Sequence, residues 1–194
     1  MQSFRQFIEN YTPIPDEEWS IVSAAFQKHE FKKNELILRE GEICRYFGFL
    51  EKGLLRFFVN KNGEDVTKFF TVAPYCFTSQ YSFRQRVPAA ENIETLEPCT
   101  AYLIGLDKAD ELLSLKHWAD FTRKFVQEVQ FHTEQLMMEA KTEDAGKRYL
   151  NLIEKYPQLI QRIPLRHLSS FLGIAPQSLS RIRKDFLKHS KKLT

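Results

Sequence analysis

Residues 165–188, LRHLSSFLGIAPQSLSRIRKDFLK, decide how this chain is read. Leu165, Leu168 and Leu172 recur at helical spacing, and Gly173 then supplies a backbone position that tolerates a left-handed turn. Pro176 suits the first position of a second helix. At about 100° per residue, Leu179, Ile182 and Phe186 fall on one side of that helix. Gln177, Arg181, Lys184 and Lys188 fall on the other, with Ser178 near the helix start. Arg183 sits nearer the apolar flank, where it can touch a phosphate or snorkel along the protein surface. An apolar back with a row of amide, guanidinium and ammonium groups is what a helix needs to lie in the major groove of DNA. The pattern predicts a helix-turn-helix.

Charge is distributed to match. From residue 146 onward there are eleven Lys or Arg against Glu154 and Asp185, a balance of +9. The rest of the chain holds 17 basic and 23 acidic residues, a balance of −6 that the overall +3 conceals. A basic tail on an acidic body is the electrostatic footprint of a nucleic-acid binder. The competing reading is a solvated charged face on a ligand-binding or scaffolding protein whose helix-turn-helix does not act on DNA.

At 194 residues the chain has room for one medium domain and one small one. No apolar run approaches the roughly 20 residues of a membrane span, and MQSFRQFIENY lacks a signal-peptide core. A cytoplasmic protein is expected. Cys44, Cys76 and Cys99 lack the spacing of a zinc site or a CxxC motif, and buried reduced thiols are expected. The histidines His29, His117, His132, His167 and His189 lie outside residues 30–105, which argues against a histidine-rich metal site there. GxSxG, Walker A and HExxH patterns are absent, so the chain is read as a non-enzyme.

Working outward, residues 1–28 read as helical with an interruption at Pro13 and Pro15, and Asp16, Glu17 and Glu18 fit the first turn of a new helix. Residues 30–105 hold short runs rich in β-branched and aromatic residues: ELILRE, YFGFLEKG, LLRFFVN, VTKFFTV, NIETLE and TAYLIG. Gly41, Gly53 and the Asn62-Gly63 hairpin signal punctuate them. This texture predicts an antiparallel roll, and with the flanking helices an α+β chain. Residues 107–140 return to helical periodicity, with Trp118, Phe121, Phe125, Val129, His132 and Leu136 in one stripe. Either the whole stripe packs within the chain, or the roll covers part of it and a second copy of the helix the rest; the second reading is favoured and puts Phe121, Phe125, Val129, His132 and Leu136 at a two-fold interface. KTEDAG, residues 141–146, reads as a hinge, and Pro157 ends the helix after it. The division expected is 1–115 for N-terminal helices and roll, 116–140 for a long dimerisation helix, and 141–194 for the helix-turn-helix domain.

This order resembles the Crp/Fnr family of bacterial transcription regulators. Its most specific piece is HLSSFLGIAPQSLSRIRKDF, and ILREGE followed by YFGFLEKGLLRFFVNKNGEDVTKFF is similar to a cyclic-nucleotide-binding roll. The resemblance implies a homodimer on palindromic double-stranded DNA that contacts RNA polymerase. It places base-reading residues at Pro176, Gln177 and Arg181 and a phosphate contact at Lys184. Arg181 matches the family pattern and can pair bidentately with guanine, whereas Gln177 replaces the usual acid. SKKLT leaves little room for the family's trailing β-hairpin. The effector cassette falls on PYCFTSQYSFRQRVPAAENI, with the ribose acid near Ser79 and the phosphate-binding arginine at Ala89, followed by Ala90. Without that guanidinium the phosphate loses its bidentate partner. Arg84 and Arg86 lie near enough to be considered as substitutes. No cofactor is expected, cyclic AMP is disfavoured as effector, and the roll is read as binding another small molecule or none.

Overall fold

Successive side chains of a strand point to opposite faces, and in the central strands here both faces pack against apolar residues. The computed structural model describes the backbone of residues 1–190 and side chains through residue 185. Helices α1 (Gln2–Glu9) and α2 (Asp16–Ala25) precede β1 (Gln27–Phe31), β2 (Leu36–Leu38), β3 (Tyr46–Lys52), β4 (Leu54–Lys61), β5 (Glu64–Val72) and β6 (Tyr75–Phe77). Then come α3 (Gln80–Gln85), β7 (Asn92–Thr95), β8 (Cys99–Gly105) and α4 (Leu106–Leu112). The chain continues through α5 (Lys116–Thr142), α6 (Ala145–Lys155), α7 (Pro157–Arg162), α8 (Leu165–Leu172) and α9 (Pro176–Ser190). The strands form two four-stranded sheets, β1-β8-β3-β6 and β2-β7-β4-β5. This is the antiparallel roll that the strand texture predicts. Contacts divide the chain into one unit of Met1–Val59 with Phe69–His132 and another of Asn60–Lys68 with Thr133–Thr194.

In the first unit, Leu50, Leu55, Phe57, Ile93, Ala101 and Leu103 pack between the sheets. Their strand neighbours Phe49 and Ile104 face outward and meet Phe4, Phe7, Ile8, Phe26, Trp118, Phe121 and Phe125. Phe4 stacks on Phe49 with ring centroids 4.3 Å apart, and Phe26 and Trp118 meet its edges at 4.9 and 6.3 Å. Arg56 on β4 is 1% exposed, lies 4.2 Å from the Phe58 ring and pairs with Glu94 at 2.7 Å. Burial at that level is tolerable for a guanidinium because its charge is met.

One expectation for the long helix needs correction. Phe121 and Phe125 are not free for a partner subunit: they are 1% and 7% exposed and pack on Phe7 and Tyr11. The His132 side chain, from the same expected set, is 57% exposed and lies 3.9 Å from Glu128. Val129 is half-buried against the same core. The apolar side chains left exposed on α5 are Val126, Phe131, Leu136, Met137 and Met138. Val126, Val129, Thr133, Leu136 and Ala140 follow one another at steps of three and four, the spacing of a heptad seam. That seam is rotated from the expected stripe because the roll and α1 take the aromatic residues. On the helix surface, Lys124 and Arg123 pull the Asp120 carboxyl down to about 2.

Candidate nucleic-acid interface

The second unit is built around the helix-turn-helix. Asp144 caps α6 by accepting the Lys147 amide at 2.9 Å. Pro157 ends α6 and also starts α7, as a proline at the first helical position can. Leu168, Leu172 and Leu179 are fully buried, with Tyr149, Ile160 and Ile163 close behind. Arg148 donates to the Leu172 carbonyl at 2.7 Å and so satisfies an end of α8. Gly173 adopts φ 69° and ψ 29° and closes that helix, with its amide on the Ser170 carbonyl. Nothing lies within 4 Å of where a Cβ would project from Gly173. Gly173→Ala should therefore cost only backbone strain, about 1–2 kcal/mol, in denaturant unfolding followed on this unit. A cost below 0.5 kcal/mol would remove the turn's requirement for glycine (about that size for an unstrained surface change).

Burial sorts the side chains of α9 as the sequence pattern implies. Leu179 points into the core, while Gln177, Ser178, Arg181 and Lys184 are exposed. Ser180 is exposed too, at a spacing that places it beside this row. It adds a hydroxyl to those that the sequence pattern singles out. Lys188 belongs to α9, but its side chain lies outside the described residues. Arg183 departs from the expected contact set. It is half-buried, donates from Nε to the Tyr149 hydroxyl at 3.0 Å and lies 5.7 Å from that ring. Its guanidinium holds α9 to α6, in keeping with its place on the apolar flank.

The tip of the β4–β5 hairpin belongs to this unit and docks on α8. The Ser170 hydroxyl accepts from the Thr67 amide at 2.9 Å and donates to the Asp65 carbonyl at 3.0 Å. Ser169 is 1% exposed and donates to the Arg166 carbonyl at 3.0 Å. Both serines thus serve the backbone.

Where the resemblance puts the effector cassette, the backbone is bonded to the loop between β2 and β3. Ala89, where the resemblance puts the phosphate-binding arginine, is 3% exposed, and its amide and carbonyl bond the Glu42 carbonyl and the Gly41 amide, each at 2.8 Å. Ser79 is buried at the start of α3, and Ala90 is exposed. Arg84 and Arg86 do not converge on Ala89 as substitutes. Arg84 pairs with Asp110 at 2.6 Å and Arg86 with Asp107, both at the surface against α4. Phe57 and Phe69 stack at 4.2 Å in the roll interior. The three cysteines are buried and form no disulfide, and burial pushes the Cys76 thiol well above its ordinary value, away from nucleophilic use. No cluster of three metal-ligating side chains occurs among the described residues. None of the described helices is long and apolar enough to cross a membrane.

Comparison with known proteins gives the same architecture. The family model of the cyclic nucleotide-binding domain matches residues 28–115. No curated protein matches. Among solved structures, FixK2 from Bradyrhizobium japonicum superposes with a TM-score of 0.72 at 14% identity, over 85% of this chain and 86% of that one. The c-di-GMP responsive global regulator CLP from Xanthomonas campestris gives 0.70 at 10% identity, over 91% and 93%. A putative Crp/Fnr regulator from Eubacterium rectale gives 0.69 at 14% identity, over 93% and 88%. Residues 28–115 thus match the cyclic nucleotide-binding domain family, and the chain has the fold seen in the structures of Crp/Fnr regulators.

Proposed function

We propose that this protein is a cytoplasmic, non-enzymatic transcription regulator that binds palindromic double-stranded DNA as a homodimer, contacts RNA polymerase and does not respond to cyclic AMP. The observation that carries the reading is the exposed row of Gln177, Arg181 and Lys184 on α9, backed by the buried Leu179. Arg181 reads a guanine edge, Gln177 pairs with an adjacent base, and Lys184 neutralises a phosphate. The seam on α5 pairs two subunits, so that two recognition helices meet successive major grooves. Disfavouring cyclic AMP rests on Ala89, whose side chain offers no charge to a phosphate, and on the engagement of Arg84 and Arg86 elsewhere.

Fluorescence anisotropy with mixed duplex DNA at two salt concentrations tests the reading. Binding should weaken steeply as salt rises, because neutralised phosphates release counterions. Arg181→Ala should cost about 1–3 kcal/mol and relax the preference at one base pair. Equal losses on every sequence would make Arg181 a phosphate contact. Absent or salt-insensitive binding would favour a scaffolding protein instead.

A further inference from the structure

A cavity of about 460 Å³ opens in the roll between β2 and the strands β6, β7 and β8, beside the segment that carries Ala89, since Glu42, which bonds Ala89, is part of its lining. Its apolar walls are Ile37, Leu38, Phe77, Ile93 and Leu103. Two local features create it. The first is Gly48 on β3, which pairs with Phe77 on one side and Leu103 on the other. A Cβ on Gly48 would meet the Phe77 ring at 2.5 Å and Leu103 Cδ2 at 2.8 Å. Lacking one, it lets both side chains lie down on the strand, and the space above them stays open. The second is the segment from Gly41 to Cys44, which is drawn toward α3. Gly41 and Glu42 bond Ala89, and the Cys44 amide donates to Ser82 Oγ at 2.8 Å, which donates to the Val87 carbonyl at 2.6 Å.

The cavity has one polar pole. Thr78 Oγ1 donates to the Tyr46 carbonyl at 2.9 Å, and Cys44 Sγ donates to the same oxygen at 3.4 Å. With its proton committed, the Thr78 hydroxyl offers acceptor lone pairs. No charged group is buried at this pole. Glu42 and Arg45 line the cavity but are exposed. A ligand's charge placed against these walls would lose its hydration without a buried partner. Volume and lining are those of a small-molecule site.

We propose that this cavity binds a small, neutral, mainly apolar molecule carrying one hydrogen-bond donor, an alcohol or an aromatic N–H, with the donor on Thr78 Oγ1. The claim concerns ligand binding by the roll and stands whether or not α9 reads DNA. Calorimetric titration of the full chain with 1-octanol and with indole tests it, with octanoate and cyclic AMP as charged comparisons. A neutral probe should bind with a Kd below about 1 mM, octanoate at least tenfold more weakly than octanol, and cyclic AMP should not compete. Gly48→Ala drives Phe77 and Leu103 into the space, and Ile37→Phe fills it from the edge strand without touching Gly48. Whichever of these keeps the parent's circular dichroism should bind at least tenfold more weakly. Thr78→Val keeps the shape and removes the acceptor, for a loss of about three- to tenfold. Failure of both neutral probes to bind, undiminished binding by a folded filled variant, or octanoate binding as well as octanol would overturn the proposal.

Discussion

Phe4→Ala is expected to destabilise the first unit by about 3–5 kcal/mol, a large part of a domain's total stability. Phe4 is fully buried at the meeting point of α1, α2, β3 and α5, touching Trp19, Phe26, Phe49 and Trp118. Removing the ring leaves a cavity lined by rigid aromatic planes that cannot collapse into it, which puts the cost at the upper end for such changes. Guanidinium unfolding followed by the fluorescence of Trp19 and Trp118, which both border the cavity, measures the loss directly. A loss below about 1 kcal/mol, the middle of the range for ordinary substitutions, would mean that α1 is an appendage and not part of the core.

Replacing both Val126 and Leu136 with Glu is expected to convert the proposed dimer to monomers and to abolish the proposed tight DNA binding. The two positions lie on the seam of α5, so a two-fold axis brings like charges together at each, a cost of several kcal/mol. A monomer then holds only one half-site and forfeits the avidity of two linked contacts. Phe131→Glu is the control, because Phe131 lies about 140° around the helix from Val126 at 100° per residue. Sedimentation equilibrium should show the control as a dimer and the double variant as a monomer. A dimer in both would move the interface elsewhere.

The two halves of the chain were legible in the sequence for different reasons. The helix-turn-helix is local: the leucines, Gly173 and Pro176 set two helices within 25 residues, and the structure places them at Leu165–Leu172 and Pro176–Ser190. The roll showed through runs rich in β-branched and aromatic residues at β3, β4, β5 and β8. β1, QKHEF, escaped because its side chains are exposed or half-buried and carry no apolar period. What the sequence concealed is which partner covers a surface. Periodicity put Phe121 and Phe125 on one face of α5, but only the fold shows that α1, more than 100 residues earlier, claims them. Arg84 and Arg86 likewise find Asp110 and Asp107, 26 and 21 residues later, a pairing that no local spacing announces. Arg183 is the intermediate case. Its position on the wheel placed it by the apolar flank, and Tyr149 on α6 supplies the partner.

Selection of bound duplexes from a random DNA pool by the full chain tests the central claim most directly, since it reads base recognition and subunit geometry together. Enrichment of inverted half-sites centred about one helical turn, roughly 10 base pairs, apart is predicted, with a guanine in each half whose preference disappears in Arg181→Ala. A pool that emerges unenriched, or enriched in single half-sites without a symmetric mate, would contradict the account.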